Sequence, residues 1–521
     1  MADEENSDPQ PRPSADVYAI YGVEPEIQAY AMAKYSRSSL SMKESLREIS
    51  AQRAEKFLNT FYFQYGHRSI ADLAHIAFAI ERLSLLAAIA VADEQRWDGQ
   101  ERSTRYQDFS HPDYYMPEFG TNDLSGNDES ARKQYVPTIE FLFAEYQELS
   151  RAMLDHLRAQ VPCPATMKPE QYERTLRARA FDIARYLLPL ATNTSLGQIV
   201  NARTLETQIS RLLSSPMAEL REVGGKLKDA ARSAAYDANA RRKHDLYEDI
   251  EDWDPIWAKE MRDFLVSEVR PAPTLVKYAE ANPYFAESRK ELESAARELM
   301  AGAPVMTVPA VDLLDDDPIE IELAATLLYE HCQYPYRQIR EHVEALGARQ
   351  RAEIVCLGTK HRGKHDELLR AFYSGERFRF DILMDIGAYR DMHRHRRCIQ
   401  IGQDFTTAHG YDVPSDVNLA GWGERYQKAM TVAREAVLKV DGAEPASAAY
   451  IIPLAYRKRT LFKMDFAEVV YISELRTAPA GHFSYRKVAW EMFEAVAGRH
   501  PELAGLFRVH DPNEPSDLLQ R

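Results

Sequence analysis

One apolar hexapeptide occurs twice in this chain. Tyr186-Leu-Leu-Pro-Leu-Ala191 returns as Tyr450-Ile-Ile-Pro-Leu-Ala455. A segment repeated at long range constrains a fold strongly, because it implies two related halves built to one plan. Six apolar residues around a proline also arise by chance or from a shared packing need, so the repeat requires support from other segments. The length permits it: 521 residues are enough for two large domains or for two to four of ordinary size.

The pattern between the repeats is mostly helical. Ala131 to Gln160 and residues 170 to 235 read as long helices. The stretch IADLAHIAFAIERLSLLAAIAVA, apolar on nearly every face, reads as one buried helix. Strand-like runs are fewer: ERFRFDILM from Glu376 and AAYIIPLAY from Ala448. The expected class is α+β with helices dominant. Residues 1–15 read as a disordered tail, 16–269 as a first unit, 270–317 as a connection carrying one helix, and 318–510 as a second unit.

Charge and cysteine content remove several functions. Lys plus Arg total 65 against 80 Asp plus Glu, a net charge of −15, which disfavours sequence-independent nucleic-acid binding. Four unpaired cysteines exclude a disulfide scaffold and point to a reducing compartment. The polar, acidic start is not a signal peptide, and Leu85 to Ala92 is too short to cross a bilayer. A cytoplasmic protein without membrane or nucleic-acid partners is expected.

Two clusters could carry chemistry. In Glu101-Arg-Ser-Thr-Arg-Tyr106, extended backbone would put Glu101, Ser103 and Arg105 on one side. A carboxylate, a hydroxyl and a guanidinium there could hold a nucleotide's phosphate and sugar, or the segment could be a solvated charged turn. Arg390-Asp-Met-His-Arg-His-Arg-Arg397 packs four arginines and two histidines into eight residues. It reads as a solvated basic face, as an anion site, or as a metal site from His393, His395 and Cys398, for which no second ligand pair has matching spacing.

Both clusters resemble broken copies of R-H-R-x-x-S-x-N-E-x-S-x-R-Y, the signature of the flavin-dependent thymidylate synthases (ThyX). Gly66-His67-Arg68-Ser69 resembles that family's G-H-x-S, and Asp72 and Ile80-Glu-Arg-Leu-Ser84 follow at family spacing. In the first half Asp93-Glu-Gln95 replaces R-H-R, while Glu101, Ser103, Arg105 and Tyr106 keep the later positions. The second half does the reverse: Arg394-His395-Arg396 is intact, and Gly402, Asp404, Thr406 and Thr407 hold the later places. Downstream, R-x-x-L-P survives as Arg185 to Pro189 but has Ala449 in the other half. N-x-R survives as Asn201-Ala-Arg203, with Asp465-Phe-Ala467 opposite. The family's catalytic arginine is matched by Arg476 and lost at Leu212.

The resemblance implies two ThyX-like units in tandem, each helix-rich with a small antiparallel sheet. It further implies one composite site: Arg394 and Arg476 from the second half, Glu101, Ser103, Arg105 and Arg185 from the first, with the mirror-image site abandoned. The substrate would be dUMP, methylated to dTMP with methylenetetrahydrofolate as carbon donor and NADPH as reductant. Arg476 would be catalytic and the other five would bind substrate. FAD would lie against His67, Ser69, Asn201, Arg203, Arg394, His395 and Arg396, with no metal. A homodimer of fused chains would imitate the family's homotetramer. Asp391 replaces a family glutamine, which puts an acid near a bound phosphate. The alternative is a nucleotide-binding pseudoenzyme, or a flavoenzyme modifying another pyrimidine nucleotide.

Overall fold

A computed structural model describes residues 20, 22–34, 42–48, 68–119, 127–266, 268–314, 318–363, 368–372, 376–442, 445–514 and 518–519. The expected tail, residues 1–15, lies outside them, as does His67. The chain divides into two compact units. The first takes residues up to 76 together with 201–203 and 230–277. It holds helices Pro25–Lys34, Ala240–Trp253 and Pro255–Leu265. Buried Glu26 accepts hydrogen bonds from the backbone N–H of Thr274 (2.7 Å) and Leu275 (2.6 Å).

The second unit takes residues 77–200, 204–229 and 278–521 and carries most of the core. One sheet has strand order β1-β3-β2, with β1 (His75–Ser84), β2 (Asp98–Glu101) and β3 (Asn193–Asn201). The other has order β4-β5-β7-β6, with β4 (Val311–Leu313), β5 (Phe378–Asp385), β6 (Ile399–Gly402) and β7 (Arg457–Met464), all pairs antiparallel. The helices that matter for the site are α1 (Leu85–Ala92), α2 (Asn127–Gln160), α3 (Pro169–Ala184) and α4 (Ala202–Leu213). Later in the chain come α5 (Ile386–Met392), α6 (Gly423–Asp441), α7 (Phe466–Thr477) and α8 (Phe483–Arg499), of which α5 matches α1 and α7 matches α4. The class is α+β, as expected. No helix among the described residues is long and apolar enough to cross a membrane.

Spacing explains the long helices. Tyr135, Ile139, Leu142, Tyr146, Leu149 and Met153 recur every three or four residues on α2, and all are fully buried. Tyr426, Met430, Ala433, Val437 and Val440 do the same on α6, and the two stripes pack together. Arg425 pins the pair by a two-pronged bond to Glu145 (2.6 and 2.9 Å).

The structure departs from the sequence reading in two places. The stretch read as one buried helix is the end of a short helical turn, Arg68–Leu73, then β1, then α1. In Ile76-Ala-Phe78-Ala-Ile80 large and small residues alternate, which is the period of a strand. Ser84 then starts α1 by accepting from Ala87 N–H (2.9 Å). The run from Ala448 is not a strand. It is a short turn of helix, Ala449–Ile451, leading to β7, because Pro453 has no N–H to give a ladder.

The repeated hexapeptides bond to each other. Leu190 N–H donates to Ile452 O and Leu454 N–H to Leu188 O, both at 3.0 Å, about a bridge between Pro189 and Pro453. Ala191 to Tyr450 and Ala455 to Tyr186 extend the pattern on either side. The surrounding backbone follows suit. Leu85 N–H bonds Thr192 O as Ile386 bonds Tyr456, Leu86 bonds Leu190 as Gly387 bonds Leu454, and Arg102 bonds Ser195 as Gln403 bonds Arg459.

Candidate active site

Five elements of the second unit deliver charged or polar side chains to one buried region. Glu101 ends β2, and the turn after it carries Ser103, Thr104 and Arg105. Asp182 lies in the last turn of α3, and Arg185 caps it. Arg390 and Asp391 lie on α5, which starts at Asp385, whose carboxylate accepts from Ala388 N–H (2.7 Å). Arg476 is in the last turn of α7, and Tyr485 in the first turn of α8.

The contacts interlock. Arg105 Nε donates to Asp182 (2.7 Å) and its Nη1 to the Tyr485 hydroxyl (3.0 Å). Tyr485 is shared: the Arg105 and Arg476 guanidinium carbons stand 5.6 and 5.3 Å from its ring centre, within cation–π range. Arg390 pairs with Glu101 (2.8 Å) and donates to the Thr104 hydroxyl (3.2 Å). Arg185, 2% exposed, has longer contacts: 3.4 Å to Asp391 and 3.5 Å to Thr104. Gly387 lies against it: a Cβ there would touch Arg185 Nη2 at an ordinary 3.4 Å and crowd the Asp385 carboxylate at 3.0 Å. Arg185 Nε and Arg390 Nε are buried with no hydrogen-bond partner. Buried guanidinium donors left unmade are costly, and they suit a site that receives an anion.

His395 is the hinge between the two predicted arginine groups. Its Nε2 accepts from Arg476 Nε (2.7 Å), so the proton sits on Nδ1, 3.7 Å from Glu468. Burial holds its pKa below the ordinary histidine value, and Arg476 beside it adds to the effect. His482 is likewise neutral: burial first, then Arg185, brings it down to about 3. Burial alone would raise the Asp391 carboxyl. Arg185, Arg105, Arg394 and Arg476 overcome it and hold Asp391 below the usual carboxylate range. Glu101 is also lowered, burial being overcome by Arg390 and then Arg394.

The structure thus brings Glu101, Arg105, Arg185 and Arg476 into one network. Ser103 accepts from Arg105 N–H (3.2 Å), and Arg394 is exposed at its edge. Arg396 stacks over Trp97 (4.2 Å) and donates to Ala92 O (3.2 Å). Ser69 is exposed in the turn Arg68–Leu73, and Arg203 pairs with Asp72 (3.4 Å); these residues, like Asn201, belong to the first unit. The atoms of the possible metal trio go elsewhere: His395 to Arg476, His393 to Asp93 (3.2 Å), and Cys398 Sγ to His395 O.

Sequence reasoning missed Asp182, Thr104, Tyr485 and the Arg390–Glu101 pair. Asp182 stands one helical turn before Arg185, a spacing that could have been noticed. Nothing local marks Tyr485.

A family model described as thymidylate synthase complementing protein matches residues 20–235 and 312–502. The chain belongs to the thymidylate synthase complementing protein family. A UPF0159 protein of Chlamydia pneumoniae is 25% identical over 96% of this chain and 92% of its own length. Within the same family range, a flavin-dependent thymidylate synthase of Clostridium tetani is 24% identical over 36% of this chain and 68% of its own. A solved Helicobacter pylori ThyX complexed with FAD and dUMP is 16% identical, with TM-score 0.27, over 40% of this chain and 89% of that one.

The residues around His395 also admit a test for a flavin. Arg396 Nε and Gln400 Oε1 are buried without partners beside a small, solvent-open cleft that His395 also lines. Donors and acceptors left open at a cavity wall fit the polar edge of such a group.

Proposed function

We propose that this chain is an FAD-dependent, cytoplasmic enzyme that reductively methylates dUMP to dTMP, using methylenetetrahydrofolate and NADPH. It would consist of two ThyX-like units fused in tandem, acting at one composite site within a single chain. The observation that carries this reading is the Tyr485 ring, which stands within cation–π range of Arg105 from the first half and Arg476 from the second. The family match over two segments supports it further.

Each residue then has a task. Arg476 cannot be a base, because a guanidinium stays protonated far above neutral pH, at a pKa above ~12. It stabilises negative charge developing at N3 and O2 of the uracil as carbon-5 becomes nucleophilic. His395, neutral and accepting from Arg476, fixes that guanidinium's direction. Arg105 and Arg185, with Ser103, hold the phosphate through charge-assisted hydrogen bonds, and Arg394 closes the edge. Glu101, locked to Arg390, takes the sugar side. Arg394, His395 and Arg396 would hold FAD, which when bound supplies the redox and one-carbon carrier chemistry. No cysteine is needed: the buried Cys398 thiol is pushed up to about 12 by burial, far from a reactive thiolate.

The test is the visible spectrum of the purified chain, followed by a dTMP assay. A flavin absorbance band with dTMP formation supports the proposal. A colourless protein that still binds dUMP would replace it with the pseudoenzyme reading.

A further inference from the structure

Asp391 stands among the arginines that the site offers to a substrate, at a position where its own charge matters. Arg185 bonds it at 3.4 Å, and Arg105, Arg394 and Arg476 all act on the same carboxylate. Arg105 is already matched by Asp182 (2.7 Å), Arg390 by Glu101 (2.8 Å), and Arg397 faces Asp465 and Glu468. His395 and His482 add no charge. That leaves Arg185, Arg394 and Arg476 facing one acid, an excess of two positive charges, with Arg185 and Asp391 buried, Arg476 half-buried and Arg394 at the exposed edge. Buried charge must be compensated, and a mismatch of one unit there is costly in either direction. A phosphate monoester carries close to two negative charges at pH 7. A diphosphate carries more.

We propose that Asp391 is a specificity-determining residue that restricts the site to nucleoside monophosphates by supplying the charge a second phosphate would otherwise bring. This rests on the nucleotide reading above. Asp391 lies beside the phosphate, not on the reacting ring, so it acts on binding rather than on the chemical step. Removing its charge leaves three positive charges unmatched and makes room, electrically, for a diphosphate.

The experiment is calorimetric titration of the full chain with dUMP and with dUDP, for the natural protein, Asp391→Asn and the charge-keeping Asp391→Glu. The natural protein should prefer dUMP by about tenfold or more. Asp391→Asn should cut that preference at least tenfold, chiefly by tightening dUDP, and Asp391→Glu should keep it. Equal or tighter binding of dUDP by the natural protein overturns the inference without any variant. So does an unchanged ratio in a folded Asp391→Asn that still binds dUMP, and both results leave the nucleotide reading standing. Failure of the natural protein to bind either nucleotide overturns that reading and this inference together.

Discussion

The site and its mirror image share a backbone and differ in charge. The matched hydrogen bonds put Arg390 and Asp391 opposite Ile89 and Ala90, and Thr104 and Arg105 opposite Phe405 and Thr406. Asp182 and Arg185 fall opposite Ala446 and Ala449, and Arg476 opposite Leu212. One region gathers four arginines and two acids, and its counterpart has none at those positions. Around the counterpart, Arg370 pairs with Asp93 and donates to Gln400 O (3.2 Å), and the Lys458 ammonium rests 4.0 Å over the Phe405 ring. The mirror is an internal control. The same turns and strands form with Ile, Ala and Leu, so the fold does not require the buried arginines. Charges kept buried at a cost, where the fold can do without them, are what the proposed nucleotide site requires.

The largest expected effect breaks that asymmetry directly. Arg105→Ala and Arg476→Ala should each abolish turnover and weaken nucleotide binding about 10- to 100-fold, from loss of a charge-assisted contact of about 1.5–3 kcal/mol. Thr406→Ala, at the mirror of Arg105, should change binding less than twofold by calorimetry. Because Arg105 and Arg476 meet at one Tyr485 within the chain, mixing the two dead variants should not restore activity. Recovered activity would place the site between chains. Saturation should come at one nucleotide per chain, and two would mean the mirror is not abandoned.

A smaller effect separates the two helix starts. The α1 start uses a neutral Ser84, whereas α5 uses Asp385, whose carboxyl burial and the nearby Asp412 push up to about 6. A carboxyl raised in the folded state binds its proton more tightly there than when unfolded. Its contribution is therefore favourable below the unfolded value near 4 and is lost as pH rises through 6. Asp385→Asn keeps the cap but removes the ionisation. It should raise stability at pH 8 by on the order of 1–3 kcal/mol and leave it nearly unchanged at pH 4, measured by urea unfolding.

How much of this was legible follows from range. The helix stripes of α2 were readable because their signal repeats every three or four residues. Glu101, Arg105, Arg185 and Arg476 were readable because family spacing carried them. The Arg390–Glu101 pair, the Arg105–Asp182 clamp and Tyr485 join residues 77 to 380 positions apart. No local pattern encodes such meetings; only the fold does. The error at residues 75–92 has the opposite cause. Alanines between Ile76, Phe78 and Ile80 satisfy helix and strand periods alike, and pairing with β3 decided between them.

The smallest prediction concerns the swapped partners at those two helix starts. Ser84 Oγ donates to Glu219 (2.6 Å), and Ser84 N–H donates to the other oxygen of the same carboxylate (2.8 Å). At the counterpart the roles reverse: Ser484 Oγ donates to Asp385. Each start therefore has one hydroxyl and one buried acid, contributed by opposite elements. Ser84→Ala removes the hydroxyl that caps α1, worth about 1 kcal/mol. It also takes one donor from Glu219, whose carboxyl burial already raises, the Ser84 bonds opposing that rise. With that donor gone the folded carboxyl moves further up, so the charged form is penalised more. The loss in Ser84→Ala should accordingly be about 1 kcal/mol at pH 5 and larger at pH 8. Ser484→Ala should show the same pH trend through Asp385 with no cap lost, because Asp385 itself still accepts from Ala388 N–H. A Ser84→Ala loss independent of pH would mean that Glu219 is held by its other donors, the Ser84 backbone N–H and Tyr450.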